Sequence, residues 1–334
     1  MIRRAWVNRE ERSAYRKTDS RLAVSAFLLL FCIGLGAQEF PVKQIRMTVP
    51  YSAGGVPDLI TRLVAQSMGQ AFGQTVIVEN KTGAGGLPAV QDLIRAQPDG
   101  HSLLCVDASQ WAILPALRPG LYDPARDFSP VGIVVTSTIF ITVRDDTGVR
   151  NVQDLVALAK AKPGALSYGS SGIGTLHHLF METFKAHYGV SLVHIPFKAA
   201  GAAMTALLGG ELPVTVASVS NSTPHMKKGI TRILAASATR SRFAPEVPAL
   251  ADVGIQNDFG APIGFVAPAG TPRQVVDKLA GVLARAVQTP EFLKRAEAFY
   301  VDIAYRTPEQ HAEIIRADIP RFQRAVKISG ATAE

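Results

Sequence analysis

Two glycine- and serine-rich loops, about 115 residues apart, carry the residues of this chain best suited to chemistry. The first is VPYSAGG, Val49 to Gly55, running into VPDLITRLVAQSM. The second is LSYGSSGIG, Leu166 to Gly174, running into TLHHLFMETF. In both, an apolar strand pattern leads through small residues into a helical pattern. Such a turn presents backbone N–H groups at a helix N-terminus, which is a ready anion site. Glycine also lets the backbone come close to a ligand. Two such sites facing each other could grip the two ends of one small dianion.

The first loop offers Tyr51, Ser52, Gly54 and Gly55. Asp58 follows in the first turn of the helix, where it either complements the helix dipole or orders the loop by accepting N–H bonds. A carboxylate at that place argues against a phosphate ligand. The second loop offers amides and the hydroxyls of Ser170, Ser171 and Thr175. No lysine follows in P-loop register, and neither serine has glycines two residues before and after it, as a nucleophile elbow requires. The loop therefore reads as an anion binder, not as a group that attacks a carbonyl.

Other candidates surround these loops. Thr82 to Gly86 forms a third glycine cluster, and its Gly85 reads either as part of a tight turn or as lining of the same cleft. Ser109 follows the strand pattern Leu103 to Val106 and joins the ligand-binding set. Lys198, in PFKAAG, is either a cleft cation or a surface lysine. His178 is expected to order the second loop through its side chain. His177 and His178 with Glu182 also make a possible metal pair, but no third ligand is in evidence and no metal is expected. His187, His194, His225 and His311 are scattered and read as structural.

The elements that must position these loops alternate. Strand patterns lie at Arg46 to Tyr51, Thr75 to Val78, Leu103 to Val106, Leu166 to Tyr168, Leu192 to Ile195, Val214 to Val219 and Ile233 to Ala236. Between them, Pro57 to Phe72 repeats apolar residues at the helical period. Pro57 suits the first helical turn. Asn151 to Lys160 starts on an N-cap asparagine with Asp154 three positions on. Gly201 to Leu208 and Thr223 to Lys228 are further helices. The alternation predicts an α/β fold with parallel sheets covered by helices. Towards the C-terminus the strands give out. Val275 to Val287, Glu291 to Phe299 and Pro308 to Val326 read as helices without strands of their own, the last interrupted by Pro320. They are expected to pack on the first sheet. The chain would then cross between two domains near Val134 to Thr138 and again near Gly260 to Val266, and two crossings make a hinge. The expected division is 38–136 plus 262–334 for domain 1 and 137–261 for domain 2.

Charge is concentrated at the N-terminus. Residues 1–37 hold seven basic and three acidic residues ahead of an apolar run, Leu22 to Ala37. That run is short for a spanning helix. Basic lead, apolar core and small-residue exit read as a secretory signal cleaved after Ala37. The competing reading is an uncleaved anchor. Cys32 does not suit a lipoprotein, because bulky Phe31 precedes it. The formal charge of the whole chain is +8. Beyond Ala37, 28 basic residues face 24 acidic ones, a balance of +4. No basic cluster with interleaved aromatics remains, so nucleic acid is not an expected partner. Cys105 is then the only cysteine, so no intramolecular disulfide can form, and its apolar setting predicts a buried small hydrophobe.

Taken in order, PVKQIRMTVPYSAGGVPDLITRLVA, VIVENKTGAGG, QPDGHSLL, YDPARDFSPVG, YGSSGIGTLHHL, VHIPFKAAG and VAPAGTP resemble the periplasmic substrate-binding receptors of tripartite tricarboxylate transporters, the Bug receptors. The resemblance spans essentially all of the chain beyond the leader. It implies the type II periplasmic-binding fold, two α/β domains closing on a small carboxylate, and a monomer in the periplasm. It also implies a membrane permease as partner, or a sensor kinase in some relatives. In that family the two loops grip carboxylates, which nominates Tyr51, Gly54, Gly55, Asp58, Ser170, Ser171, Thr175 and His178. Three segments depart from the pattern: Phe197 where tyrosine is frequent, Ser218 to Asn221 where an acid or amide segment is usual, and Gly260 to Ile263 without the aromatic often found there. These place the ligand's identity in doubt. No nucleophile–base set, metal triad or cofactor fingerprint is present, so neither catalysis nor a cofactor is expected.

Overall fold

Alternating strand and helix patterns fold into two sheets whose strands are traded across a double crossing. The computed structural model describes residues 39–237, 240–255 and 260–332. The expected leader, its cleavage site at Ala37 and Cys32 lie outside them.

The first sheet holds six strands in the order β11-β4-β10-β3-β1-β2. Its strands are β1 (Ile45–Val49), β2 (Val76–Asn80), β3 (Ser102–Val106), β4 (Phe128–Ser137), β10 (Ala261–Pro268) and β11 (Asp302–Arg306). The second holds five in the order β7-β6-β8-β5-β9. These are β5 (Ile139–Arg144), β6 (Ser167–Ser170), β7 (Val193–Pro196), β8 (Val214–Ser218) and β9 (Thr231–Ala236). The sheets share one plan. β1 pairs in parallel with β2 and β3, as β6 does with β7 and β8. The next strand along each sheet runs antiparallel and arrives from the other lobe: β10 beside β3, and β5 beside β8. β4 and β5 lie in different sheets, with Thr138 alone between them.

The expected all-parallel sheets are thus corrected to mixed ones. A strand entering directly from the other lobe has no crossover helix to return it to the parallel direction. β4 and β5 show no alternation in their central stretches, Val131 to Val135 and Ile139 to Val143, because these are buried on both faces. β11 also corrects the expectation of a strandless C-terminus. It is a half-exposed edge strand paired with β4.

Helix α1 (Val56–Phe72) follows β1, α2 (Leu87–Arg95) follows the glycine cluster, and the short α3 (Leu114–Leu117) and α4 (Pro124–Asp127) lead to β4. In the second lobe α5 (Val152–Ala161), α6 (Leu176–Tyr188), α7 (Ala200–Gly209) and α8 (Val219–Met226) link the strands. Asn151 caps α5 as expected, accepting from the Asp154 N–H at 2.8 Å. The expected Thr223 to Lys228 helix starts earlier, at Val219, and carries Pro224 inside it.

The C-terminal α9 (Arg273–Ala286), α10 (Pro290–Ala298) and α11 (Pro308–Ser329) complete the chain. Pro320 does not interrupt α11, which is continuous through it. The helix packs on both lobes, against β4 and against α6, and that tertiary burial outweighs the hydrogen bond proline removes. One apolar cluster accordingly runs from Trp111 through Phe322 and Ile315 to Phe180 and Phe184. This corrects the expectation that the C-terminal helices serve the first sheet alone. Cys105 is buried on β3, its sulfur facing the Pro57 carbonyl, and burial pushes its thiol up to about 12, as for an inert small hydrophobe.

Candidate functional site

The loops after β1, β3 and β6 all leave the C-terminal ends of parallel strands, where α/β proteins place ligands. They meet between the lobes. Two spaces lie there: an outer chamber of about 320 Å³ and an inner cavity of about 50 Å³. Tyr51 borders both.

The first loop is held from behind. Gly55 caps α1, and the Gly54 N–H donates to Asp58 Oδ2 at 2.9 Å. Asp58 is 2 % exposed and also accepts from Arg62 Nε at 3.1 Å and Asn80 Nδ2 at 2.9 Å. Burial works to raise its carboxyl, but Arg62, the Gly54 amide and Asn80 together outweigh it and hold it below its ordinary range. Asp58 is therefore an ionised strut for the loop, the second of its two readings. Ser52 reaches across the cleft and donates to the Lys198 carbonyl at 3.3 Å.

The second loop is held in the same way by its own hydroxyls. Ser170 Oγ accepts the Gly172 N–H at 3.0 Å and pairs with His194 Nε2 at 2.7 Å. Thr175 Oγ1 donates to the Gly172 carbonyl at 2.7 Å and caps α6 through the His178 N–H. His178 Nδ1 accepts the Gly174 N–H at 3.4 Å, the loop-ordering role expected of it. Ser171 Oγ pairs with His177 Nδ1 at 2.6 Å and lines the outer chamber.

His194, read from sequence as structural, belongs to this assembly. It stacks on His178 at 4.3 Å and on Tyr168 at 4.9 Å. Tyr168 donates to Glu182 Oε1 at 2.6 Å, and Lys185 donates to both Glu182 oxygens. Burial, reinforced by His178 and Lys185, pushes His194 down to about 3, and burial pushes His177 down to about 4. These commitments leave no metal set: among the described residues no group of histidines, cysteines and acids is placed to hold an ion.

The outer chamber is walled by Gly85 and the rest of its cluster, by Ser171 to Thr175, and by Lys198 and Arg118. The lobes touch here. A Cβ on Gly85 would lie 3.2 Å from the Ile173 carbonyl oxygen. The inner cavity is walled by Asp107, Ser137, His177 and Ser218, with Ile139, Leu176 and Ile263 as apolar neighbours. Ser109 sits beside it: its hydroxyl accepts the Leu176 N–H at 2.9 Å. Asp107 is 9 % exposed, accepts from the Ser109 N–H at 2.7 Å and from the Tyr51 hydroxyl at 2.8 Å, and is raised from its ordinary range by burial.

Of the twelve residues chosen from sequence, Tyr51, Gly85, Ser171, Thr175 and Lys198 line the chambers. Ser52 and Ser109 bridge the lobes, while Gly54, Gly55, Asp58, Ser170 and His178 shape the loops from behind. Asp107 and Arg118 were missed. Asp107 had a signal, being the residue immediately after a strand whose C-terminal end faces the cleft. Arg118 had none, since only the π-helical turn Ser109–Ile113 and α3 bring it round.

A geometry of this kind has close counterparts. The family model for the tripartite tricarboxylate transporter family receptor matches residues 60–330. A Cupriavidus necator protein described as "UPF0065 protein in gbd 5' region" is 33 % identical over 295 residues, covering 88 % of this chain and 90 % of that one. The periplasmic binding protein BugD is 31 % identical with a TM-score of 0.81, covering 88 % of this chain and 99 % of its own. MatC from Rhodopseudomonas palustris, with bound malate, is 26 % identical with a TM-score of 0.81, and covers 86 % of this chain and 100 % of its own. A second R. palustris protein, with adipate, has the same identity and TM-score, at 88 % and 99 % coverage. The two lobes are thus those of the periplasmic-binding fold, and the chain belongs to the tripartite tricarboxylate transporter family of receptors.

Proposed function

We propose that this chain is an exported receptor that captures a small carboxylate between its lobes and delivers it to the membrane subunits of a tripartite transporter. Residues 1–37 would be the cleaved leader, 38–136 with 262–334 the first lobe, and 137–261 the second. The observation that carries the reading is that Tyr51 of the first loop, the Gly83 to Gly86 cluster and Ser171 to Thr175 of the second loop line one chamber together with Lys198 and Arg118. That arrangement suits an anion. Relatives of the same fold with malate and adipate support it.

Ligand would act by joining the lobes. Shifting a population from 1:99 open to 99:1 closed takes about 5.5 kcal/mol of differential binding, which a bridged carboxylate with several hydrogen bonds supplies. Two serine–histidine pairs among the described residues suggest chemistry, Ser170–His194 and Ser171–His177. His194, pushed down to about 3, is a poor base. With His177 pushed down to about 4, its imidazole is also a poor base at neutral pH, so both pairs order the loop instead of making a nucleophile. The reading is that of a binder, not an enzyme.

Calorimetric titration of refolded residues 38–334 with a panel of mono-, di- and tricarboxylates tests this. A saturable response, micromolar or tighter and weakened in Ser171→Ala, is expected. A folded protein that answers to no acid would remove the carboxylate reading. Loss of uptake on deletion would support delivery to a permease, whereas loss of induction with uptake intact would support a sensing role.

A further inference from the structure

The two chambers differ in charge as well as in size. The outer one carries Lys198 and Arg118, and among the described residues no carboxylate lines it. The inner one carries Asp107, and among the described residues no lysine or arginine lines it. Its other polar groups, Tyr51, Ser137, His177 and Ser218, are neutral at physiological pH.

The helix N-termini beside the inner cavity offset this charge only in part, through the N–H groups of the lining residues Val56 and His177. At α6, the Leu176 N–H is already taken by Ser109. At α1, Pro57 has no N–H to give and the Gly54 N–H is taken by Asp58. The ionised Asp58 sets a full negative charge against the positive end of that helix.

Resting on the receptor reading above, we propose that the ligand is a monocarboxylate whose far end is a compact hydrogen-bond donor held by Asp107, and that this chain selects against dicarboxylates. The carboxylate lies in the outer chamber with Lys198 and Arg118. Burial raises the Asp107 carboxyl, but the Ser109 N–H and the Tyr51 hydroxyl both donate to it and favour its charged form. A second carboxylate in the inner cavity would stand beside that charge with no cation to offset it, and like charges placed together in a buried site cost affinity. A donor has the opposite effect. A carboxylate has about four acceptor positions, and the Ser109 N–H and Tyr51 hydroxyl occupy two of those on Asp107. A hydroxyl or ammonium fills another. Space agrees: at roughly 10–15 Å³ per water-sized group, the cavity holds about three to five such groups. That admits a hydroxymethyl or aminomethyl end on a short carbon chain. Tyr51 borders both chambers, and the proposed ligand is an extended molecule that passes beside this side chain with one end in each.

The test is calorimetry of the refolded protein with four acids of equal chain length: succinate, butyrate, 4-hydroxybutyrate and 4-aminobutyrate, repeated at five and six carbons. The expected result is that a donor-bearing acid binds at least about tenfold more tightly than the matched dicarboxylate, with the unsubstituted acid between them. Asp107→Asn, which keeps shape and removes charge, should narrow that gap about tenfold. A dicarboxylate that binds as well as its donor-bearing partner would overturn the inference while leaving the receptor reading intact. Butyrate matching the donor-bearing acids would overturn the donor end. An unchanged gap in Asp107→Asn would overturn the role of Asp107. No binding of any acid would overturn the receptor reading and this inference with it. Within the donor-bearing pair, the tighter ligand identifies hydroxyl or ammonium as the group held.

Discussion

The hydroxyl of Ser109 accepts the backbone N–H of Leu176 at 2.9 Å, joining residues 67 positions apart on opposite lobes. The same hydroxyl lies 3.1 Å from that of Tyr51. A side chain of one lobe thus caps the first amide of a helix in the other, and the bond exists only when the lobes are together.

Ser109→Ala should therefore weaken closure more than folding. A neutral hydrogen bond contributes about 1 kcal/mol, so ligand affinity should fall about fivefold while the melting temperature moves little. Titration beside a thermal melt checks this. An unchanged affinity would mean the bond does not contribute to the closed state.

Asp58→Asn should loosen the first loop and lower stability by about 2 kcal/mol, the scale of hydrogen bonds to a charged group. The wild-type contribution also has a pH signature. The folded carboxyl lies below its unfolded value of 3.8. Its stabilisation is therefore complete above about pH 4 and is lost as pH falls through the folded value. Urea denaturation of both proteins at neutral and acid pH should show the difference shrinking in acid. A constant difference would count against an ionised strut.

Gly85→Ala should impair binding selectively. Gly85 has φ +68°, and its Cβ would lie 3.2 Å from the Ile173 carbonyl oxygen on the opposite lobe. A left-handed alanine costs about 1–2 kcal/mol, and the contact adds a clash present only on closure. Affinity should fall at least about tenfold. Small-angle scattering with ligand should show the variant more extended than wild type. Equal compactness would show that the lobes tolerate the methyl group.

His311 is fully buried against Trp111, with ring centroids 5.3 Å apart, and both its nitrogens lack a hydrogen-bond partner among the described residues. Burial pushes it down to about 3 from 6.5. Between those values the unfolded chain binds a proton that the folded chain does not, so stability falls as pH drops from about 6.5 toward 3. His311→Leu should flatten that dependence and, by removing unpaired polar atoms, raise stability at pH 7 by about 1 kcal/mol. A loss of stability at pH 7 would show that the ring nitrogens are satisfied in solution.

Most of the parallel strands and the helices that follow them were legible in the sequence because their signals are local. Glycine-rich turns after apolar runs, the apolar stripe of α1, and Asn151 at the cap of α5 are set by residues within a few positions of one another. The strands that cross between lobes, β4, β5 and β10, are uniformly apolar or interrupted by glycine, and no period distinguishes them. For the same reason the site was half legible. The two loops showed themselves by their glycine and serine composition, and Asp58 by its place in the first turn.

What the sequence by itself determined is the set of elements and the presence of two glycine loops at helix starts, since both follow from backbone sterics and short-range periodicity. Only the tertiary structure decided that Asp107 meets Tyr51, that His194 pairs with Ser170, that α11 spans both lobes, and that one chamber is cationic while the other is acidic. Those pairings join residues tens to hundreds of positions apart, and they depend on which faces bury together once the sheets form, a property of packing that no local spacing encodes.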